Sequence, residues 1–211
     1  MNKIFVIGFN KSATKTFHNL FLENNLNSQH YGKSWDLEKY DCFSDNGNNR
    51  DIHNLYEKFP NSIFILNTRR LDKWLISRFK HGYHMKKINN KENWAYPCTK
   101  KKCLGFINER YNYYKKILEF FKDKSDKLII VNIDKDNWIK FIARELNIEK
   151  YDIKSLNIRN TINSEYLNKI QYTVNKIFNN LKYNTRERKN VLFNDRKLYK
   201  KYLKLYRNNF I

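Results

Sequence analysis

The sequence is short of the residues that interrupt or cross-link a chain. It contains two prolines, five glycines and three cysteines in 211 residues. So few prolines and glycines argue against long flexible linkers, and three cysteines are too few for a disulfide scaffold, which favours reduced thiols. No apolar run approaches the ~20 residues of a membrane-spanning helix. Because an apolar segment already begins at Ile4, we expect no signal peptide and a cytoplasmic location.

Acidic residues are also scarce. The chain has 21 of them against 42 lysines and arginines, which gives a formal net charge of +21. Such a chain attracts polyanions; nucleic acid, an anionic membrane, a nucleotide and a sulfated or phosphorylated acceptor all satisfy that charge. Hydrophobic residues make up 41% and aromatic residues 16%. The composition therefore predicts one folded domain with a core and excludes wholesale disorder.

The most informative stretch lies near the amino terminus. The apolar run Ile4–Ile7 is rich in β-branched residues, as in a buried strand of a parallel sheet, and Gly8 ends it. A polar turn follows, and then Phe17, Leu20 and Phe21 recur at helical spacing. The order is therefore strand, polar turn, helix.

The polar turn has the composition of an anion site. Unpartnered N–H groups and the helix dipole attract negative charge where a helix begins after a parallel strand. The turn adds two lysines and three hydroxyl groups, from Lys11, Ser12, Thr14, Lys15 and Thr16. We therefore expect a phosphate or sulfate site, the alternative being an ordinary turn with solvated lysines. The turn is not a Walker A loop, because Ala13 and Thr14 stand where that motif has its second glycine and its lysine.

Two further segments repeat the strand–turn–helix order. Apolar runs over 63–66 and 128–133 each precede a polar turn and an amphipathic helix, the second of which Asp134 or Asp136 is expected to cap. This order predicts an α/β fold in three layers, with a central parallel sheet flanked by helices.

The rest of the chain is predicted to be a helical C-terminal extension. We expect an α/β core over 1–150 and, over 151–211, a helical part of the same domain. An amphipathic helix is predicted over 164–182, and a basic helix over 185–208 that can contact an anionic surface.

The polar turn resembles the 5′-phosphosulfate loop of sulfotransferases that use 3′-phosphoadenosine 5′-phosphosulfate (PAPS). That loop runs approximately G-x-x-K-[SC]-G-T-[TS]. Gly8, Lys11, Ser12 and Thr14 match it, whereas Ala13 replaces the usual glycine and Lys15 the usual second hydroxyl residue, with Thr16 one place later. The resemblance implies that Lys11 contacts the bridging oxygen and the transferring group, and that residues 12–16, including Ala13 and Lys15, bind the 5′-phosphate.

A second resemblance lies in the next strand–turn–helix segment. In sulfotransferases an arginine ends a strand, and a serine eight positions later on the following helix joins it in binding the 3′-phosphate. Arg69 and Ser77 have this spacing. On their own they would be interpreted as a surface arginine and an ordinary helical serine.

The resemblance, which covers about residues 4–146, implies a PAPS-dependent sulfotransferase that releases adenosine 3′,5′-bisphosphate (PAP). A base must take the proton of the acceptor hydroxyl. Asp45 and His30 are both candidates, although His30 is equally compatible with a solvated loop. No metal and no specific nucleic acid are expected. A small molecule, a lipid, a glycan or a tyrosine remains open as the acceptor.

Residues 81–103 are interpreted as an aromatic, lysine-rich loop above the site, where Tyr83, Trp94 and Tyr96 suit contacts with the acceptor. The same segment holds two histidines and two cysteines, at positions 81, 84, 98 and 103. Their spacing fits no common zinc finger, so zinc is the weaker interpretation.

Two other functions stay open. A nucleotide kinase related to P-loop enzymes would need Mg²⁺ and an acidic residue at a strand end, such as Asp134. A basic protein that binds nucleic acid without catalysis would show steep salt dependence and would be indifferent to Lys11→Ala.

Overall fold

The computed structural model describes residues 2–32, 34–89, 95–151 and 164–183. The strands in these ranges are β1 (Ile4–Val6), β2 (Ser28–Gln29), β3 (Cys42–Phe43), β4 (Ile63–Thr68) and β5 (Leu128–Asn132). The helices are α1 (Thr14–Glu23), α2 (Ile52–Lys58), α3 (Leu71–Asn89), α4 (Lys100–Phe120), α5 (Trp138–Glu145) and α6 (Ser164–Tyr183). Trp94 and the basic helix predicted over 185–208 lie outside the described residues.

The strands form one parallel sheet in the order β2-β3-β1-β4-β5. The short strand β1 is central, with Phe5 in register with Phe43 of β3 on one side and Phe64 of β4 on the other. A strand buried between two neighbours and two helical layers is expected to be apolar throughout. The run that begins at Ile4 meets that requirement.

Helices cover both faces of the sheet. On one face, Val6 packs with α1 and α5 in a cluster of buried residues that includes Phe17, Leu20, Phe21, Phe141 and Ile142. On the other face, the Phe64 ring lies 5.1 Å from Phe121, just after α4, and 6.3 Å from Tyr56 of α2. Successive residues of a strand point to opposite faces, so the two clusters alternate along β1 and β4. The predicted three-layer α/β fold is confirmed.

The chain divides into two compact units. Among the described residues, the first comprises those up to Arg69 and from Ile117 to Tyr151, and it contains the whole sheet. The second comprises Arg70–Lys116 and the described part of α6. In this second unit α3 packs against α6, and the rings of Tyr83 and Tyr166 stack at 4.0 Å. The helix predicted over 164–182 is confirmed as α6.

Two local predictions were wrong. Residues 81–89 continue α3 and residues from Lys100 belong to α4, so most of the predicted 81–103 loop is helical. Charged and aromatic residues blur the apolar period there, and packing against α6 supports the helix instead. Neither Asp134 nor Asp136 caps α5: its N-cap residue is Asn137, at φ 60°, without a side-chain cap. In the described part of the chain, no helix is long and apolar enough to cross a membrane.

Candidate functional site

The candidate site lies where the chain changes direction across the sheet. After β1 the chain moves to β2 at one edge, and after β4 it moves to β5 at the other edge. In open α/β sheets, ligands bind in the crevice outside the carboxyl ends of two such strands. The turn of residues 8–13 follows β1, and Arg69 directly follows β4. The two segments that the sequence singles out are therefore brought to neighbouring strand ends.

Asn67 at the end of β4 fixes the turn of residues 8–13. Its Oδ1 accepts a hydrogen bond from the Gly8 N–H at 2.8 Å, and its Nδ2 donates to the Ser12 carbonyl at 2.5 Å. The Asn67 side chain is fully buried. A Cβ added to Gly8 would lie 2.3 Å from the Asn67 carbonyl oxygen, so only glycine permits this close approach.

The turn uses left-handed backbone at residues other than glycine. Lys11 has φ 65° and Ala13, the residue before α1, has φ 63°. For residues with a Cβ this conformation costs about 1–2 kcal/mol each. A left-handed residue followed by a helical one, here Thr14, turns consecutive N–H groups toward one concavity that suits an anion. Ala13 therefore keeps the backbone shape that a glycine at this place would adopt more easily.

At the start of α1, the side chain of Ala13 cannot accept a hydrogen bond from the first N–H groups of the helix. The helix begins without a side-chain cap. Ser12 is fully buried, and its Oγ has no hydrogen-bond partner among the described residues. A buried hydroxyl without a partner costs about 1–3 kcal/mol. Phosphate or sulfate oxygens satisfy such donors at a helix start, so this observation fits an anion site.

Arg69 holds the same turn from the other side. Its guanidinium donates to the Lys11 carbonyl at 3.1 Å, and its Nε lies 3.7 Å from the Asp134 carboxylate beyond β5. Arg69 thus has a structural contact as well as its predicted contact with a 3′-phosphate, and the latter stays a prediction. Ser77 lies on α3 in the second unit, half-buried.

Asp45 lies next to the start of α1. The Thr14 hydroxyl donates to its carboxylate at 3.4 Å, and the turn that carries Asp45 has φ 74° at this residue. That turn presses against β1, since a Cβ on Gly47 would lie 2.4 Å from the Val6 carbonyl oxygen. Burial raises the pKa of Asp45, while the Asn46 backbone N–H, Lys11 and the Thr14 hydroxyl act in the opposite direction.

His30, the other candidate base, is buried just after β2. Its Nδ1 lies 3.0 Å from the Ser44 hydroxyl, and its ring stacks on His18 at 5.4 Å between centroids. Burial, followed by the charges of His18 and Lys15, lowers the pKa of His30 to about 4. The imidazole is therefore neutral at pH 7, and a pKa this low makes it a weak proton acceptor. It is not the solvated loop histidine that was the alternative.

Three contributors to the site were not anticipated: the Asn67 amide, the partnership of Asp134 with Arg69, and the stacking of His18 on His30. Asn67 has a visible signal, because it is a polar residue directly after the apolar run over 63–66, but that run places it in the polar turn and not in the strand. The other two are contacts between distant segments and have no local pattern.

Across residues 2–32, 34–89, 95–151 and 164–183, no group of three or more His, Cys, Asp or Glu side chains is arranged to hold a metal ion. The chain matches no protein-family model, and no curated protein matches it significantly.

Proposed function

We propose that the chain is a sulfotransferase that moves a sulfuryl group from PAPS to a hydroxyl or amine of an acceptor, in the cytoplasm. The observation that carries the proposal is the buried, unpartnered Ser12 hydroxyl beside the uncapped start of α1, at the carboxyl ends of β1 and β4. Lys11 belongs to this turn, and Lys15 to the first turn of α1. A doubly anionic phosphosulfate matches these donors and charges.

In the proposed reaction the acceptor oxygen attacks sulfur and the bond from sulfur to the bridging oxygen breaks. The electron pair of that bond stays on the 5′-phosphate oxygen of the leaving PAP. Lys11 stabilises the charge that grows on the bridging oxygen, and the N–H groups at the start of α1 hold the phosphate. As in phosphoryl transfer, the protein contributes mainly by positioning and by electrostatic stabilisation.

The proton of the acceptor passes to Asp45 or to His30. Asp45 contacts Thr14 at the start of α1, and burial moves its pKa toward neutrality, which improves a carboxylate as a base. His30 contacts Ser44, the residue before Asp45, and is neutral, but its pKa of about 4 makes it a weak base at pH 7. Asp45→Asn and His30→Gln identify which of the two residues is the base. The variant that lacks the base should have a strongly lowered kcat and an unchanged affinity for PAP.

The test of the proposal is a calorimetric titration with PAP and, as its partner lacking the 3′ group, adenosine 5′-monophosphate. Ser77→Ala should weaken only PAP. Arg69→Ala should weaken PAP by about 1.5–3 kcal/mol, the scale of a charged hydrogen bond. It should also weaken the monophosphate slightly, because Arg69 holds the Lys11 carbonyl. The exposed Ser125→Ala is the matched control. No binding of either nucleotide, or equal losses for both in Ser77→Ala, contradicts the assignment.

A kinase is the second candidate, because Asp134 does lie beyond the end of β5, beside an arginine that contacts the turn. It predicts turnover that chelation abolishes and Mg²⁺ restores, whereas the sulfotransferase should remain active in EDTA. The nucleic-acid alternative rests on the net charge of +21 alone. It predicts binding that falls steeply with salt and is unchanged by Lys11→Ala.

A further inference from the structure

An apolar cavity lies beside α5, at the edge of the sheet formed by β5. Its volume is about 310 Å³, at the lower end of the range of small-molecule pockets. Buried residues of β5 and α5, namely Val131, Phe141 and Ala143, line it together with Ile148. Trp138 and Tyr151 contribute aromatic surface. A compact apolar group is the natural occupant.

The charged residues around this cavity are mostly basic. Lys135, Lys140 and Arg144 line it, with Asp136 as the acidic lining residue. Arg144 lies 3.0 Å from the Glu145 carboxylate, which offsets its charge. Neither lysine pairs with a carboxylate anywhere in the described ranges of the chain. Two ammonium groups are therefore left to attract an anion to the mouth of an apolar cavity.

We propose that this cavity binds a small amphiphilic carboxylate, with its apolar body against Phe141 and Ala143 and its carboxylate near Lys135 and Lys140. Apolar burial supplies the affinity, and the two lysines select an anion over a cation or a neutral molecule of the same shape. The site uses no residue of the turn that follows β1. It therefore goes beyond the proposed sulfotransferase activity and does not depend on it.

The test compares three ligands of matched shape, namely octanoate, octanol and octylammonium, by calorimetric titration of the full chain. Octanoate should bind to one site. Octanol should bind about threefold to tenfold more weakly, the scale of two exposed charge contacts, and octylammonium more weakly still. No octanoate binding, or equal affinities for octanoate and octylammonium, overturns the proposal.

Two variants locate the site. Lys140→Glu should weaken the binding of octanoate severalfold and leave that of octanol unchanged. Lys115→Glu, the same charge change at an exposed position of α4, should alter neither affinity.

Ala143→Leu should fill the cavity and weaken the binding of both octanoate and octanol, with circular dichroism to check its fold. If this variant does not fold, Lys140→Glu decides. Equal effects of the two lysine variants would show general attraction to a basic chain, and competition by PAP would place the cavity in the donor site; either result overturns the proposal. Unchanged PAP affinity in Lys140→Glu keeps the two proposals separate.

Discussion

Replacing Asn67 by alanine should destabilise the protein and, because Asn67 fixes the turn of residues 8–13, abolish the PAP binding that we propose. The substitution removes the acceptor for the Gly8 N–H and the donor to the Ser12 carbonyl, and both Gly8 and Ser12 are buried. Each buried group that loses its partner costs about 1–3 kcal/mol, so the free energy of unfolding should fall by about 2–6 kcal/mol. That is a large part of the 5–15 kcal/mol typical of a folded domain.

The measurement is unfolding by urea, followed by circular dichroism, with Asn54→Ala on the exposed face of α2 as the control. The midpoint should shift strongly for Asn67→Ala and hardly at all for Asn54→Ala. A loss below about 1 kcal/mol, the contribution of one ordinary hydrogen bond, would show that the turn does not depend on this amide.

Asn67→Asp refines the same test through pH. The carboxylate still accepts from Gly8, but its second oxygen faces the Ser12 carbonyl unless it is protonated. Burial should raise its pKa above the ~3.9 of an unfolded aspartate. Above about pH 4 the folded variant then holds a proton that the unfolded chain has lost, so its free energy of unfolding falls by up to about 1.4 kcal/mol per pH unit as pH rises. If the difference in free energy of unfolding between Asn67→Asp and the wild type does not shrink toward pH 4, this reasoning is refuted.

Three other predictions address the catalyst, the backbone and the histidine. Lys11→Ala should lower kcat about 10²–10³-fold while changing PAP affinity much less, because PAP carries no sulfuryl group; steady-state sulfation with labelled donor measures this. Ala13→Gly should raise the free energy of unfolding by about 1 kcal/mol, because glycine adopts the left-handed conformation without strain. Gly105→Ala should raise it by about 0.5–1 kcal/mol, because Gly105 lies within α4 with nothing within 4 Å of the added methyl. If urea unfolding shows that either variant is less stable than the wild type, the backbone conformation assigned to that residue is contradicted. Because the folded pKa of His30, about 4, lies below the ~6.5 of an unfolded histidine, stability should be lost as pH falls from 6.5 toward 4; His30→Gln should flatten that loss and the exposed His53→Gln should not.

Much of the fold could be predicted because three strands of the sheet lie in unambiguous apolar runs. The apolar runs that became β1, β4 and β5 need no partner to be recognised, and the polar turns after them mark the carboxyl edge of the sheet. The strand β3 was missed because two residues, Cys42 and Phe43, carry no periodicity. Its position beside β1 nevertheless brings Asp45 to the candidate site.

The turn of residues 8–13 was easier to recognise in the sequence than the surroundings of the two candidate bases, Asp45 and His30. The turn is a contiguous segment, so its lysines and hydroxyls are visible in the sequence. The surroundings of Asp45 and His30 depend on Thr14, Ser44 and His18, which come from different elements. Their pKa shifts arise mainly from burial, which no local pattern reports.

The attachment of the turn to β4 also bears on how the protein is made. The three hydrogen bonds that hold the turn join residues 59, 55 and 58 positions apart. These contacts cannot form until Arg69 has emerged from the ribosome. Contacts between residues so far apart in the sequence also form slowly during folding. The turn of residues 8–13 therefore takes its final shape together with the pairing of β1 and β4. A nucleotide that binds only the finished turn would pull newly synthesised chains toward the native state by mass action.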